Sequence, residues 1–183
     1  MSQSCPSAAF DPVLDVNLLI KPLAIDDFSV LRHLHATSMR KHTMGVLSEA
    51  EVTAYSEFVY SPAYAEMLMK REVYCAWLDG ALVGSVSWQA NAANGLSARI
   101  GCIFSRYPGV GIGRRLLREA ELRAHIGGFA RLGAGVTANA APFFQRFGYA
   151  AVSSGVKTLS PACALPVVFL RKELAAPRSS ALN

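Results

Sequence analysis

A glycine-rich turn, Tyr107-Pro-Gly-Val-Gly-Ile-Gly-Arg-Arg-Leu-Leu117, follows an apolar run and opens onto an arginine-rich amphipathic segment. Glycines at 109, 111 and 113 let the backbone approach a ligand and take conformations closed to other residues. The first N–H groups of a helix have no partner within it, and the positive end of its dipole lies there, so such a start attracts anions. The chemistry predicted is a grip on a phosphorylated ligand. Charge points the same way: from Arg106 to Arg131 there are six arginines against Glu119 and Glu121, a local +4 within a formal net charge of +5. Arg114 and Arg115 oppose the dipole in the first turn unless an anion joins them.

Two nucleotide motifs compete for this loop and fail. A P-loop needs Gly-Lys-Ser/Thr at the helix start, and Gly113 is followed by Arg-Arg. A dinucleotide fingerprint needs glycine where Arg114 stands and an acid further on for the ribose, which Arg131 to Gly135 does not supply. Cys5, Cys75, Cys102 and Cys163 have neither the Cys-x-x-Cys nor the Cys/His spacing of a metal site, so no metal is expected. Asp79 is the sole acidic residue between Glu72 and Glu119, and a turn claims it, so no carboxylate base is expected on the central strands. His33, His35 and His42 fall in the first helix and the loop after it; His33 and His35, two apart, cannot share a helix face.

Elements that would position these residues are legible from periodicity and punctuation. Val16 to Ile20 reads as a strand stopped by Pro22, after which Asp26 or Asp27 caps a helix carrying Phe28, Leu31 and Leu34. Ser48-Glu-Ala-Glu51 is a capping box, and Ser61-Pro62 starts a further short helix. Val73 to Leu78, the Asp79-Gly80 turn and Ala81 to Trp88 make a hairpin. Ser97 to Ser105 is the next strand, with Gly101 inside it as a bulge or close-approach point. A helix from Gly111 to Ile126, a strand from Arg131 to Ala138, a short helix from Ala141 to Phe147, and strands Tyr149 to Val156 and Val167 to Arg171 complete the order. This is a mixed α/β sheet with helices on both faces. Residues 13–174 read as one domain, with loose segments at 1–12 and 175–183. Apolar runs fall short of a membrane span and no signal sequence begins the chain, so a cytoplasmic protein without a membrane partner is expected.

Gly109-Val-Gly-Ile-Gly-Arg-Arg-Leu-Leu117 together with Asn139-Ala-Ala-Pro-Phe-Phe-Gln-Arg-Phe-Gly-Tyr149 resembles the GNAT superfamily of N-acetyltransferases. The resemblance is strongest from Ile103 to Tyr149 and implies a mostly antiparallel central sheet flanked by helices. It implies acetyl-CoA as cosubstrate, its pyrophosphate held by the backbone from Val110 through Gly111, Ile112, Gly113 and Arg114 to Arg115. It implies that Ile103, Phe104 and Ser105 pair with the pantetheine arm, and that Asn139 contacts that arm or helps position the thioester. The acceptor pocket would be formed by the first two helices and their loop, His35 to Val46. There Arg40-Lys41-His42 suggests an acidic or carboxylate-bearing acceptor, although a solvated basic loop explains it equally well.

Two positions depart from the pattern. Pro108 stands where the family's loop usually has Gln or Arg, and Phe144, in the cofactor site, stands where many members carry a tyrosine thought to protonate the leaving thiolate. A family-like reaction would have the amine attack directly, with a backbone N–H near Phe104 or Ser105 stabilising the oxyanion. Tyr149 or Tyr107 is then the proton donor to consider. The leading reading is transfer of an acetyl group to a primary amine of a small metabolite or amino-acid-like acceptor, with a homodimer left open. The alternative is a catalytically weak sensor that binds acyl-CoA. A nucleic-acid partner is disfavoured, because the positive charge sits beside a glycine loop rather than along a face.

Overall fold

The computed structural model describes residues 17–91, 95 and 97–174. The loose segments expected at 1–12 and 175–183, and the strand start at Val16, lie outside them. Strand β1 (Leu18–Pro22) pairs antiparallel with β2 (Glu72–Leu78), and Pro22, expected to stop the strand, is its last paired residue, opposite Tyr74. An edge strand accommodates a residue without an N–H. A 3₁₀ turn at Ile25–Asp27 leads into α1 (Phe28–His42). Asp27 occupies the cap position but makes no side-chain cap bond, because its backbone is helical rather than extended.

Local signals hold where they are chemically specific. Helix α2 (Glu49–Val59) starts on the Ser48 capping box, with Glu51 N–H donating to Ser48 Oγ at 3.2 Å and Ser48 N–H to Glu51 Oε2 at 2.7 Å. Helix α3 (Pro62–Met69) begins on Ser61-Pro62. The hairpin of β2 and β3 (Ala81–Ala90) turns on Asp79 and Gly80, both with positive φ, the combination that matches strand twist.

Strand β4 (Ser97–Ser105) runs antiparallel to β3 and parallel to β5 (Arg131–Val136). Helix α4 (Ile112–Ile126) connects them, and α5 (Ala141–Gln145) follows β5. The last two strands, β6 (Ala150–Ser160) and β7 (Cys163–Glu173), form a hairpin longer than the sequence suggests. The main additions, Lys157 to Ser160 in β6 and Cys163 to Pro166 in β7, carry the polar Thr158 and Ser160 and a proline at Pro166, so no clean apolar run announces them.

These strands form a seven-stranded sheet in the order β1-β2-β3-β4-β5-β7-β6, in which β4 and β5 are the parallel pair and the other pairs are antiparallel. One core, with Leu116, Leu117, Ala120 and Phe144, joins α4 and α5 to one sheet face; a second, with Leu31, Leu34, Phe58 and Tyr64, joins α1, α2 and α3 to the other. Burying each such Leu or Phe contributes about 1.5–3 kcal/mol. The mostly antiparallel sheet with helices on both faces is the architecture the sequence implies. What serves the site is a fork: β4 and β5 pair only from Ser97↔Arg131 to Ile100↔Ala134, so Gly101 and Gly135 are the first residues past the last pair.

Candidate active site

Past the fork the strands enclose a cavity of about 200 Å³. Gly101, Cys102, Ile103, Phe104 and Ser105 of β4 run along it, with Gly135, Val136 and Thr137 opposite. The end of α1, the inner faces of α2 and α3, and residues of β6 and β7 complete the wall. Parting the strands leaves one backbone edge of β4 without its neighbouring strand, so hydrogen-bonding groups on that edge are open to a ligand in the cavity.

Strand β4 is bent at the cavity. Ser85 lies opposite Phe104 and Ser87 opposite Gly101, so β4 carries one extra residue, and within that bulge Cys102 has φ of 48°. Bulges re-aim backbone groups, and a non-glycine residue in this conformation costs on the order of 1–3 kcal/mol unless its surroundings hold it. A buried chain does so. Ser85 Oγ donates to the Cys102 carbonyl at 2.8 Å, and His35 Nε2 lies 2.6 Å from Ser85 Oγ. Since the single Ser85 proton is committed to the carbonyl, His35 Nε2–H is the donor, and His35 Nδ1 accepts from the Tyr64 hydroxyl. Burial lowers the His35 pKa to about 3, so the ring is neutral, as this tautomer requires.

The glycine loop adjoins this cavity without forming its wall. Gly109 and Gly111 have φ of 86° and 90°, and Gly111 caps α4. A side chain there would be strained even though the Cβ direction is open. The first helical bond runs from Arg115 N–H to the Gly111 carbonyl at 3.2 Å, so the preceding N–H groups, of Ile112, Gly113 and Arg114, are those that helix geometry leaves free. The Arg115 N–H is thus engaged within the helix, and its guanidinium turns to the Leu18 carbonyl at 3.3 Å on β1. A Cβ at Gly113 would lie 3.3 Å from Phe143, and the next residue, Phe144, is fully buried in the cavity wall, so α5 joins loop and cavity. Open glycines, free N–H groups and an adjacent strand edge suit a phosphate-bearing, arm-like ligand.

Ile103, Phe104, Ser105, Asn139 and Phe144 are brought together at the cavity. Ser105 Oγ is committed to the turn before the loop, donating to the Tyr107 carbonyl at 3.0 Å and accepting Tyr107 N–H at 3.3 Å. Asn139 Nδ2 donates to the His42 carbonyl at 2.6 Å, tying the end of β5 to the end of α1. Tyr149 is not brought to the cavity. Its ring packs edge-on to Phe144, with Lys172 Nζ 5.4 Å from its centroid, and burial drives its pKa above the ordinary phenol range. It sits in the core, away from the cavity lining.

Of the three histidines the sequence offered near the acceptor pocket, the cavity takes His42, and two further side chains, Arg71 and Lys157, were missed. His42 lines the cavity and its Nε2 is buried without a hydrogen-bond partner, whereas His33 is exposed. Arg71, just before β2, and Lys157, on β6, also line it, while Arg40 and Lys41 are exposed. Burial lowers the Lys157 pKa; Cys102 opposes the shift, and Arg71 and Arg99 add to it. The one signal in the sequence was Gly101: a Cβ there would fall 2.6 Å from Arg71 Nη1.

A sheet forked at its parallel pair, with a glycine-led helix start beside the fork, defines an acetyltransferase-type fold. The chain belongs to the GNAT acetyltransferase family, whose acetyltransferase (GNAT) domain matches residues 43–158. Solved structures share the fold. The GCN5-related N-acetyltransferase of Rhodopseudomonas palustris is 23% identical over 86% of this chain and 96% of its own, with a TM-score of 0.76. The PaiA N-acetyltransferase of Thermoplasma acidophilum, in complex with coenzyme A, is 17% identical over 85% and 98%, at 0.63. YncA of Salmonella typhimurium, with its cofactor acetyl-CoA, is 15% identical over 89% and 97%, at 0.60. No curated protein matches the sequence significantly. No helix among the described residues is long and apolar enough to cross a membrane.

Proposed function

We propose that the protein is an acetyl-CoA-dependent N-acetyltransferase that acts on a primary amine of a small metabolite or amino-acid-like acceptor. The observation that carries this reading is the cavity at the β4–β5 fork, lying between the glycine-led start of α4 and the ends of α1 and α2. Acetyl-CoA supplies an activated thioester with a thiolate leaving group. In this reading Val110 to Arg114 hold the pyrophosphate, Ile103 to Ser105 offer backbone pairing to the arm, and Asn139 steadies the far wall.

Acetyl transfer needs a neutral amine and relief of charge on the carbonyl oxygen. His42 Nε2 takes one proton from the acceptor's ammonium, the amine lone pair forms the C–N bond as the C–S bond breaks, and the second nitrogen proton passes to the departing thiolate, giving the amide and the CoA thiol. A backbone N–H on the bulged edge of β4, at Phe104 or Ser105, stabilises the oxygen. Arg71 and Lys157 favour the neutral amine by repelling its protonated form. No side chain is needed to protonate the thiolate, since a thiol pKa near ~8.5 makes it a fair leaving group. A cytoplasmic enzyme fits this reading.

Phe144 and the lack of an acidic residue among the described cavity residues also favour a second reading, a weakly catalytic acyl-CoA sensor. Calorimetry with acetyl-CoA, using NADPH and ATP as controls, followed by CoA release over a broad amine panel, tests both. Acetyl-CoA-selective binding with turnover of any amine supports the enzyme and sinks the sensor. Selective binding without turnover supports the sensor, and no binding overturns both.

A further inference from the structure

Gly101, the first β4 residue past the last β4–β5 pair, lies beneath the Arg71 guanidinium, and Gly135, its β5 counterpart, lies beneath the Phe169 ring with the Lys157 stem beside it. Arg71 Nη1 would contact a Cβ on Gly101, and the Lys157 stem lies 3.8 Å from the Cβ position of Gly135. Both line the cavity, whose described residues include no Asp or Glu. Among the described residues Arg71 has a single polar partner, donating to the neutral Ser87 Oγ at 3.4 Å, and its Nε is buried without one. Cations taken from water without a counter-charge are costly. Around them the wall is apolar, with Met39, Tyr55, Phe58, Met67, Leu159 and Leu165.

We propose that Arg71 and Lys157 form a carboxylate subsite, so that the acceptor is an amine bearing a carboxylate and an apolar body, the chemistry of an amino acid with a large apolar side chain. This rests on the acetyltransferase reading of the cavity and names its acceptor class. A guanidinium fork suits a carboxylate, and Lys157 adds a point charge. The carboxylate completes the charge balance at the fork, while the apolar wall takes the side chain.

The test has a turnover arm and a binding arm. Phenylalanine and leucine are compared with phenethylamine and isoamylamine, the same amines without the carboxylate, by CoA release. N-acetylphenylalanine and its amide are titrated into CoA-saturated protein. The carboxylates should be preferred by about tenfold or more in kcat/KM and in affinity. Arg71→Gln and Lys157→Met should each remove most of that preference while CoA affinity and melting temperature stay near wild type. Equal turnover of amino acids and their decarboxylated amines overturns the subsite but leaves the acetyltransferase intact. Loss of CoA affinity in Arg71→Gln, with the acid preference retained, assigns the cations to a cofactor phosphate and also overturns it. If no amine reacts, the acetyltransferase reading fails alone, and the binding arm still decides: selective, Arg71-dependent binding of N-acetylphenylalanine supports the subsite, and its absence refutes it.

Discussion

Ser85 Oγ donates a 2.8 Å hydrogen bond to the carbonyl of Cys102, the bulged residue of β4 with φ of 48°. Both groups belong to a relay that starts at Tyr64 and passes through His35, so α3, α1 and β3 jointly set the backbone of the strand beside the cavity. Ser85→Ala strips the Cys102 carbonyl and His35 Nε2–H of their partner. Leaving buried polar groups unsatisfied costs about 1–3 kcal/mol, which urea unfolding should show. If the bulge aims a backbone donor at the thioester, kcat should fall while the affinity for acetyl-CoA changes little. A stability loss with unchanged kcat would confine the relay to structure.

His35 makes stability depend on pH in a predictable direction. Its pKa falls from 6.5 to about 3 on folding, so the unfolded chain binds a proton that the folded one refuses. The relay's contribution is fully present above 6.5 and drains as pH falls through the window down to about 3, with a limiting slope of ~1.4 kcal/mol per pH unit. Urea unfolding of wild type and His35→Gln should show a stability gap at pH 7 that narrows steadily towards pH 4. A constant gap would mean that His35 is not held neutral.

Gly111 has φ of 90°, and its Cβ direction is open to solvent. Gly111→Val meets backbone strain of about 1–2 kcal/mol and places a branched side chain where the proposed phosphate approaches. Calorimetry should show acetyl-CoA affinity abolished in a variant that still melts cooperatively. Wild-type affinity would refute the loop as the phosphate site.

Phe144 lies in the cavity wall at 0% exposure, its ring edge-on to Phe143 and Tyr149. Phe144→Tyr adds one hydroxyl with the ring position kept. Turnover should rise, within the roughly 10²- to 10⁴-fold range of general acid catalysis, if that hydroxyl reaches the departing sulfur. An unchanged rate in a folded, active variant would show that the leaving group needs no acid here.

Short-range chemistry carried most of the fold into view. The Ser48 capping box, the Asp79-Gly80 turn and the glycines before α4 each act over a few residues, so their conformations can be read directly from the chain. The phosphate-binding character proposed for the loop belongs to this class, because it depends on backbone freedom and a helix end. The far end of β6, Lys157 to Ser160, was missed for the opposite reason: it is held by pairing with Cys163 to Leu165 of β7, not by an apolar pattern of its own.

The sequence by itself thus determined the α/β order, the glycine loop, the family resemblance and the position of Phe144. Tertiary structure decided which side chains meet in the cavity. His35 and Ser85 are 50 positions apart, and His35 and Tyr64 are 29 apart. Arg71 and Lys157 come from opposite halves of the chain to the two glycines of the fork, and Tyr149, the last residue of the second motif, turns into the core instead. No local preference encodes such meetings, since they follow from strand order, the fork at Ile100 and Ala134, and the bulge that reorients β4.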